Sequence, residues 1–414
     1  MHLVDITMFY AAEGGGVSTY LNAKARWLSR FGWARHTILS SNVSSHDGRV
    51  GGHVGGPDCT RGCAHDCAHD CARNCAGDCV HDRTVPRLVR VPAVALPGIH
   101  GYRMPLSVAA AARRLTAARP DLIEAGDAGH CAWAALRLRQ RLGIPAIAFY
   151  HSDLPRLVLN RFGGTASQGS RKYLAHLYRE FDTVLAPSRL MVRELNDMGV
   201  TQALHQPLGI DSDIFHPRRR RDGLRAALGL PHDTRLLVYA GRFTADKKLP
   251  LLLDAVRRLG RPYHLLLVGG GAALPPHPQL SIMPFKRDQR ELAGVLASCD
   301  LLVHPGDCET FGLIVLEAMA CGLPVVGTLA GGVAELVDDD TGILARPNDV
   351  DSLAGAIEAV YARDLASLGA NARRKAHEHY DWNQVFPQLM QRYGSLLAAR
   401  PGAPRAVERF CVSD

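Results

Sequence analysis

Two glutamates mark the most informative segment of the sequence, HPGDCETFGLIVLEAMACGLPVV at residues 304–326. Seven residues separate Glu309 from Glu317. The apolar run 311–321 between and beyond them predicts a buried helix. Carboxylates at the mouth of a helix and along it can accept hydrogen bonds from sugar hydroxyls. Taken alone, the pair is also compatible with a helix-entry charge and a surface glutamate.

A helix that begins near Thr310 would gather several ligand-binding groups around its N-terminus. The first amides of a helix have no partner within it and bind phosphate. The amides expected to point outward are those of Phe311, Gly312 and Leu313. Glu309, at the helix mouth, would then hold sugar hydroxyls. Glu317, about two turns along the helix, would hold a ribose.

Two series of alternating strand and helix patterns must position this motif. They cover residues 1–206 and 223–382, and a stretch rich in Pro, Gly, Asp and Arg, 207–222, has the composition of a linker between them. A last helix and tail, 383–414, is expected to pack back on the first domain. The pattern predicts an α/β protein with two doubly wound, Rossmann-like domains that face a ligand-binding cleft.

The individual elements follow from the periodicity of the apolar residues. The predicted strands are 2–9, 36–40, 121–125, 145–150, 182–187, 235–240, 264–271, 280–283, 300–305 and 324–328. The predicted helices are 17–31, 105–119, 128–142, 248–259, 287–298, 311–321, 333–337, 349–362, 364–379 and 383–399.

The composition is that of an ordinary globular protein, and its excess positive charge is unevenly distributed. The chain has 414 residues, of which 47% are hydrophobic, so a disordered, collagen-like or coiled-coil chain is excluded. Residues 1–205 hold 24 basic and 16 acidic side chains, whereas 206–414 hold 24 of each. A nucleic acid or an anionic membrane would suit the basic half. Few aromatic residues lie among its arginines and no nucleic-acid-binding module is visible, so we expect no nucleic acid.

The motif at 309–326 resembles the signature of retaining nucleotide-sugar glycosyltransferases of family four (group 1), which have the GT-B fold. Its two glutamates match the E-x7-E element of that family. Three further segments resemble the family: GGVSTYL at 15–21, GRFTADKK at 241–248 and AGGVAELV at 330–337. A bare E-x7-E is a weak signal. Four elements in the family's order, in a resemblance that covers nearly the whole chain, are a specific one.

The resemblance implies the transfer of a hexose from a nucleotide-diphosphate sugar to an acceptor hydroxyl. Its donor site corresponds to Gly15, Gly16, Arg242, Lys247, Phe311, Gly312, Leu313 and Glu317. Arg242 and Lys247 would hold the diphosphate, where two cations neutralise charge that builds on the leaving group. Glu309 would contact the transferred sugar and Glu317 the ribose. The competing interpretation is that Lys247 is a solvent-exposed residue at the start of a helix.

Other residues are assigned to the sugar and the acceptor by the same resemblance. His151 follows the predicted strand 145–150 and would touch the donor sugar near the reacting carbon. The alternative is a histidine whose ring makes its hydrogen bonds only within its own loop. Gly15 and Gly16 would let the backbone approach the diphosphate or the acceptor. Asp127 would shape the acceptor side, unless it only caps the next helix.

The mechanism implied by the family is retention at the anomeric carbon. The acceptor hydroxyl would attack from the face that the diphosphate leaves, and a diphosphate oxygen would take its proton. No metal and no cofactor are expected, because Arg242 and Lys247 stand in the metal's place. Asp211-Ser212-Asp213 has the spelling of a metal-binding Asp-x-Asp, but it lies in the predicted linker and indicates a turn.

Six cysteines recur at every fourth residue from Cys59 to Cys79, within a predicted insertion at 58–82. Zinc sites usually pair cysteines as Cys-x2-Cys, with a longer spacer between pairs. A repeat-expanded surface loop is therefore the prediction. A metal-buffering or redox protein that works through this tract is the rival hypothesis from a different class.

The acceptor and the sugar are assigned from weaker signals. TMFYAAEGGGVSTYL and AFYHSDLP look closest to bacterial mannosyl- and sulfoquinovosyl-lipid transferases. They favour GDP-mannose as donor and a lipid or glycan as acceptor, with a UDP-glucose enzyme or a glycogen-type synthase as alternatives. Residues 1–10 resemble a first strand rather than a signal peptide, and no apolar run reaches about 18 residues. We expect a cytoplasmic protein that binds the inner, anionic face of the plasma membrane.

Overall fold

The computed structural model describes residues 1–10, 14–42, 86–95, 103–286 and 288–399. The insertion 58–82 with its cysteine repeat, and the tail 400–414, lie outside the described residues. The first part of the chain forms β1 (His2–Thr7), α1 (Gly16–Phe31), β2 (Arg35–Ser40), β3 (Arg87–Arg90), β4 (Ala93–Ala95), β5 (Arg103–Pro105), α2 (Val108–Ala118), β6 (Leu122–Ala125), α3 (His130–Leu142), β7 (Ala146–Phe149), α4 (Leu154–Phe162), α5 (Gly164–Tyr178), β8 (Thr183–Ala186), α6 (Arg189–Asp197) and β9 (Ala203–His205).

The second part repeats the alternation and ends in a run of helices. It forms α7 (Leu224–Ala227), β10 (Arg235–Phe243), α8 (Leu249–Leu259), β11 (Tyr263–Gly271), β12 (Leu280–Met283), α9 (Gln289–Leu296), β13 (Leu301–His304), α10 (Leu313–Ala320), β14 (Val325–Thr328), α11 (Val333–Leu336), β15 (Gly342–Ala345), α12 (Val350–Tyr361), α13 (Leu365–Tyr380) and α14 (Trp382–Ala398).

Thirteen of these strands build two parallel sheets, which confirms the predicted pair of doubly wound Rossmann-like units; β4 and β5 pair antiparallel with each other. The first sheet has the order β3-β2-β1-β6-β7-β8-β9, and the second has the order β12-β11-β10-β13-β14-β15. The chain reverses its direction of travel through the sheet between β1 and β6, and again between β10 and β13. Ligands of such sheets bind at the carboxyl ends of the strands beside that reversal.

Every predicted strand is present, but the sequence missed several elements. The most consequential are α4 and α5, which fill the interval between β7 and β8. The α5 segment begins GTASQGS, residues with weak helix propensity, and its apolar side chains cluster in its second half. No helix in the described ranges combines the length and the apolarity that crossing a membrane requires.

The chain passes between the two sheets twice, and the two crossings lie side by side. The Ile210 amide donates to the Tyr380 carbonyl at 2.7 Å, and the Trp382 amide donates to the Ile210 carbonyl at 3.0 Å. Gly209 is needed here because a Cβ atom would lie 2.7 Å from both the Trp382 ring and the Tyr380 carbonyl oxygen. The paired crossings form one compact joint.

A fully buried lysine ties α14, the last helix of the described residues, to the first sheet. Lys24 in α1 is 0% exposed, and its Nζ donates to Asp5 of β1 at 2.6 Å and to Glu124 of β6 at 2.9 Å. It also donates to the hydroxyls of Tyr20 at 3.2 Å and Tyr393 of α14 at 3.3 Å. The α14 helix therefore joins the first sheet through charged groups in its interior.

We expect Lys24→Met to lower the free energy of unfolding by about 3–5 kcal/mol, because it leaves the Asp5 and Glu124 carboxylates buried without their cation. Urea denaturation measures the change. Lys172→Met, at an exposed position of α5, is the matched control and should stay within about 0.5 kcal/mol of the wild type. Equal stability of the two variants would contradict the structural importance of the Lys24 network.

Candidate active site

Segments that follow strands of the two sheets touch across the cleft. The Thr310 hydroxyl, beyond β13, donates to the carbonyl oxygen of His151, beyond β7, at 3.1 Å. The Arg156 guanidinium at the start of α4 lies 3.7 Å from the Asp307 carboxylate. The carboxyl ends of the two sheets therefore face each other.

Two helix N-termini meet in the same cleft. The α1 helix follows Gly15 at φ 118°, and α10 follows Gly312 at φ 104°, a backbone conformation that glycine adopts without steric cost. A Cβ atom on Gly16 would lie 3.3 Å from the Leu313 side chain, so the first residues of the two helices are in close proximity. Their unpaired amides make this region favourable for an anion.

The predicted start of α10 near Thr310 is wrong by about a turn. The left-handed conformation of Gly312 ends the preceding loop, so the helix begins at Leu313. Glu317 is consequently the fifth helical residue, little more than one turn from the N-terminus rather than two. Of the three amides assigned to phosphate, only that of Leu313 belongs to the helix; Phe311 and Gly312 precede it.

Glu309 is held between two nitrogen donors. The Lys247 ammonium donates to its Oε1 atom, and the Nε2 atom of His304 lies 3.2 Å from the same oxygen. Burial alone would raise the pKa of the Glu309 carboxyl, but the Lys247 charge and the hydrogen bond with His304 outweigh that effect and hold the pKa well below its usual range. Glu309 is therefore ionised, and its two contacts fix the orientation of its carboxylate.

The turn that carries Lys247 is anchored by the next residue. Lys248 adopts φ 51° before α8, and its Nζ donates to Asp307 at 2.5 Å and to the side-chain oxygen of Asn348. Both lysines thus bind the loop that leaves β13. Sequence reasoning missed His304 and Asp307, although both lie within five residues of Glu309 in the same motif.

Arg242 lies near the carboxyl end of β10, which runs three residues beyond its predicted end. Its side chain is exposed and makes no ion pair within the part of the chain that the structure describes. The structure does not bring the Arg242 guanidinium into contact with Glu309 or Lys247. It lies at the strand end where the second sheet reverses, as required of a ligand-binding cation.

Glu317 is buried in α10 without a compensating cation. No hydrogen bond or ion pair to its carboxylate occurs among the described residues, and burial raises the pKa of Glu317 to about 8. Near neutral pH this side chain is largely protonated. It can then donate a hydrogen bond as well as accept one.

His151 is packed as a neutral ring. It stacks on Phe149 with ring centroids 4.3 Å apart and planes 3° from parallel. Burial, followed by the charge of Lys24, lowers the pKa of His151 to about 3. The imidazole therefore offers a hydrogen bond at this strand end without carrying charge.

Asp127 is used within the first sheet. Its carboxylate accepts the Met8 amide at 2.9 Å and the Gly129 amide at 2.8 Å, which joins the ends of β1 and β6. Burial raises the pKa of the Asp127 carboxyl. These contacts hold the backbone around the first reversal point.

The two facing sheets, with helix N-termini and paired charges at their strand ends, define a GT-B glycosyltransferase architecture. The fold is similar to sucrose-phosphate synthase from Thermosynechococcus elongatus, with a TM-score of 0.74 at 22% identity, covering 97% of this chain and 100% of that one. It is also similar to Anabaena HepE solved with UDP-glucose, with a TM-score of 0.70 at 18% identity, covering 95% and 100%.

The chain belongs to the family 4, group 1 glycosyltransferases and is an enzyme of that class. The model of Glycosyltransferase Family 4 matches residues 14–214, and that of Glycosyl transferases group 1 matches 234–363. Both the predicted fold and the resemblance to this family are confirmed. A nucleotide sugar is accordingly its donor class.

Curated relatives align with most of the chain. Sulfoquinovosyl transferase SQD2 of Arabidopsis thaliana is 30% identical over 69% of this chain and 59% of its own length, so the chain matches less than two thirds of that relative. A GDP-mannose-dependent alpha-mannosyltransferase of Corynebacterium glutamicum is 28% identical over 77% and 78%. A GDP-mannose-dependent alpha-(1-6)-phosphatidylinositol dimannoside mannosyltransferase of Mycobacterium tuberculosis is 29% identical over 75% and 83%.

We expect Glu309→Gln and Lys247→Met each to lower kcat by about 100-fold or more, because each removes a fixed charge beside the reacting groups. Turnover is followed as release of the nucleoside diphosphate. Glu291→Gln and Lys172→Met remove the same charges from exposed positions and should leave kcat unchanged. Wild-type turnover in either site variant would contradict the assignment.

The raised pKa of Glu317 predicts a pH-dependent stability. Its folded value of about 8 exceeds the ordinary value of 4.5, so the folded state binds the extra proton and stability falls as pH rises between them. Glu317→Gln should therefore gain up to about 1.4 kcal/mol per pH unit relative to the wild type between about pH 5.5 and pH 7.5. Urea denaturation at both pH values measures this. Parallel profiles of the two proteins would contradict it.

Proposed function

We propose that this enzyme transfers mannose from GDP-mannose to a lipid acceptor with retention of the anomeric configuration. The observation that carries the proposal is the Lys247–Glu309–His304 cluster beside the N-terminus of α10, directly across the cleft from His151. It combines a cation and amides for a diphosphate with an ionised carboxylate for sugar hydroxyls.

The donor would lie along the second sheet. Lys247, Arg242 and the amides around Leu313 would bind the diphosphate and stabilise its charge as the sugar departs, with no metal ion. Glu309 would hold the transferred sugar, and Glu317, in its protonated form, the ribose. Gly15 and Gly16 leave room for the diphosphate at the start of α1.

The first domain would provide the acceptor side. His151, being neutral, would donate a hydrogen bond to the sugar near the anomeric carbon without acidifying the leaving group. The acceptor hydroxyl would attack from the face that the diphosphate leaves, and a diphosphate oxygen would take its proton. Asp127 would act on the acceptor indirectly, by fixing the loops after β1 and β6.

The choice of donor and acceptor is supported by the relatives. Two of those described above are named GDP-mannose-dependent, and one of these names a phosphatidylinositol dimannoside, a glycolipid. The basic residues 1–205 suit an anionic membrane. We therefore place the reaction at the inner face of the plasma membrane, with 1–206 and 223–382 as the acceptor and donor domains, 207–222 as their linker and 383–414 returning to the first.

The rival class stays a prediction. A metal- or redox-buffering role for Cys59–Cys79 concerns a tract outside the described residues. Within the described ranges, no group of three or more His, Cys, Asp or Glu side chains is placed to share a metal ion. A UDP-glucose enzyme or a glycogen-type synthase is the alternative within the same fold.

A thermal-shift comparison of GDP, UDP and ADP tests the donor. GDP at about 100 times its Kd should stabilise the protein by about 2.7 kcal/mol, and each kcal/mol raises Tm by about 2–4 °C in a domain of this size. Lys247→Met should lose most of this shift, whereas Lys172→Met should keep it. A shift with UDP and none with GDP would replace GDP-mannose by a UDP-sugar.

A further inference from the structure

The end of α4 presents apolar side chains to solvent. Leu157, Leu159 and Phe162 are 50%, 47% and 68% exposed, and Gly163 and Gly164 follow them at the turn into α5. Exposed apolar side chains are common singly, but three within six residues concentrate apolar surface around the end of α4, and this group is here called the patch. Phe162 is the most exposed large hydrophobic residue among those the structure describes.

The charged side chains of the two helices that carry this patch are all positive. Residues 154–178, which form α4 and α5, contain four Arg or Lys residues and no Asp or Glu. The Arg161 guanidinium lies over the Phe162 ring, 5.6 Å from its centroid. Arg156 faces Asp307 across the cleft, whereas Arg161 is exposed to solvent beside the patch.

The patch is linked directly to the reaction site. Asp153 caps α4 by accepting the Arg156 amide at 3.1 Å, and it lies two residues after His151. A helix rises about 1.5 Å per residue, so Phe162 lies about 13 Å from the cleft end of α4. A lipid whose headgroup lies beside Phe162 would therefore be about one helix length, that of α4, from the cleft.

We propose that Leu157, Leu159, Arg161 and Phe162 form a membrane-docking surface that inserts into the headgroup region of an anionic bilayer. Apolar side chains interleaved with arginine, without acidic residues, match the interfacial helices that bind such membranes. The patch has far fewer residues than the roughly 20–30 a side of a stable protein interface. This inference rests on the proposed lipid acceptor, which the surface would bring to His151.

Vesicle co-sedimentation of the full chain tests the surface. The wild type should bind phosphatidylglycerol vesicles at low salt, and binding to phosphatidylcholine vesicles, or at high salt, should be much weaker. Leu159→Ser with Phe162→Ser should weaken binding about tenfold or more, because each side chain loses its burial in lipid. Phe31→Ser is the matched control: Phe31 is 49% exposed and also lies beside an arginine, Arg30, but at the end of α1.

The nucleoside-diphosphate thermal shift should be the same in the double variant as in the wild type, which shows an intact donor domain. Failure of the wild type to bind phosphatidylglycerol vesicles, or equal binding by the double variant, would overturn the docking surface. A double variant that lost vesicle binding but glycosylated lipid in vesicles at the wild-type rate would also overturn it. Vesicle binding that depends on Phe162, without transfer to any lipid, would support the surface and refute the proposed acceptor.

Discussion

The structure depends on the charge of Lys24, which has no contact with water. A buried ammonium is tolerated only when paired and hydrogen-bonded, and Asp5, Glu124 and two tyrosine hydroxyls meet that need. The pairing fixes β1, β6, α1 and α14 relative to one another. Because Tyr20, one of the Lys24 partners, packs 5.5 Å from the His151 ring, the network also supports the floor of the cleft. Ordering the core and supporting the His151 ring are thus two results of one interaction.

The second domain also pairs lysines with carboxylates, but its pairs lie beside the cleft rather than in the core. Lys247 and Lys248 are each paired to a carboxylate in the loop beyond β13, so the loop and the turn before α8 hold each other in place. These pairs are only partly buried and lie where an anionic ligand arrives. Fixed charges of this kind stabilise developing charge without having to reorient during the reaction. The first domain uses its buried charges for architecture, and we propose that the second uses its charges for binding.

Much of this arrangement follows from local sequence signals. The βα alternation predicted both sheets, and the family resemblance assigned Lys247 and Glu309, which the structure brings together, to one site. The missing parts depend on contacts between distant residues: His304 matters only because β13 ends beside Glu309, and Asp307 because Lys248 reaches it. The sequence pattern did not predict α5 because its glycines and serines are poor helix formers. Tertiary packing overrides this weak helix propensity. The start of α10 depends on one backbone angle at Gly312, which periodicity cannot reveal.

The paired crossings at Ile210 and Tyr380–Trp382 have a mechanical consequence. Hinges are formed by a few residues that absorb the backbone rotation between rigid bodies. Two adjoining strands, hydrogen-bonded to each other, allow bending about a single axis but resist torsion. Any opening of the cleft would therefore bend both crossings at this one place. Because Tyr393 is bonded to Glu124 and Lys24, the α14 helix beyond the second crossing travels with the opposite body, although it is continuous in sequence with α13.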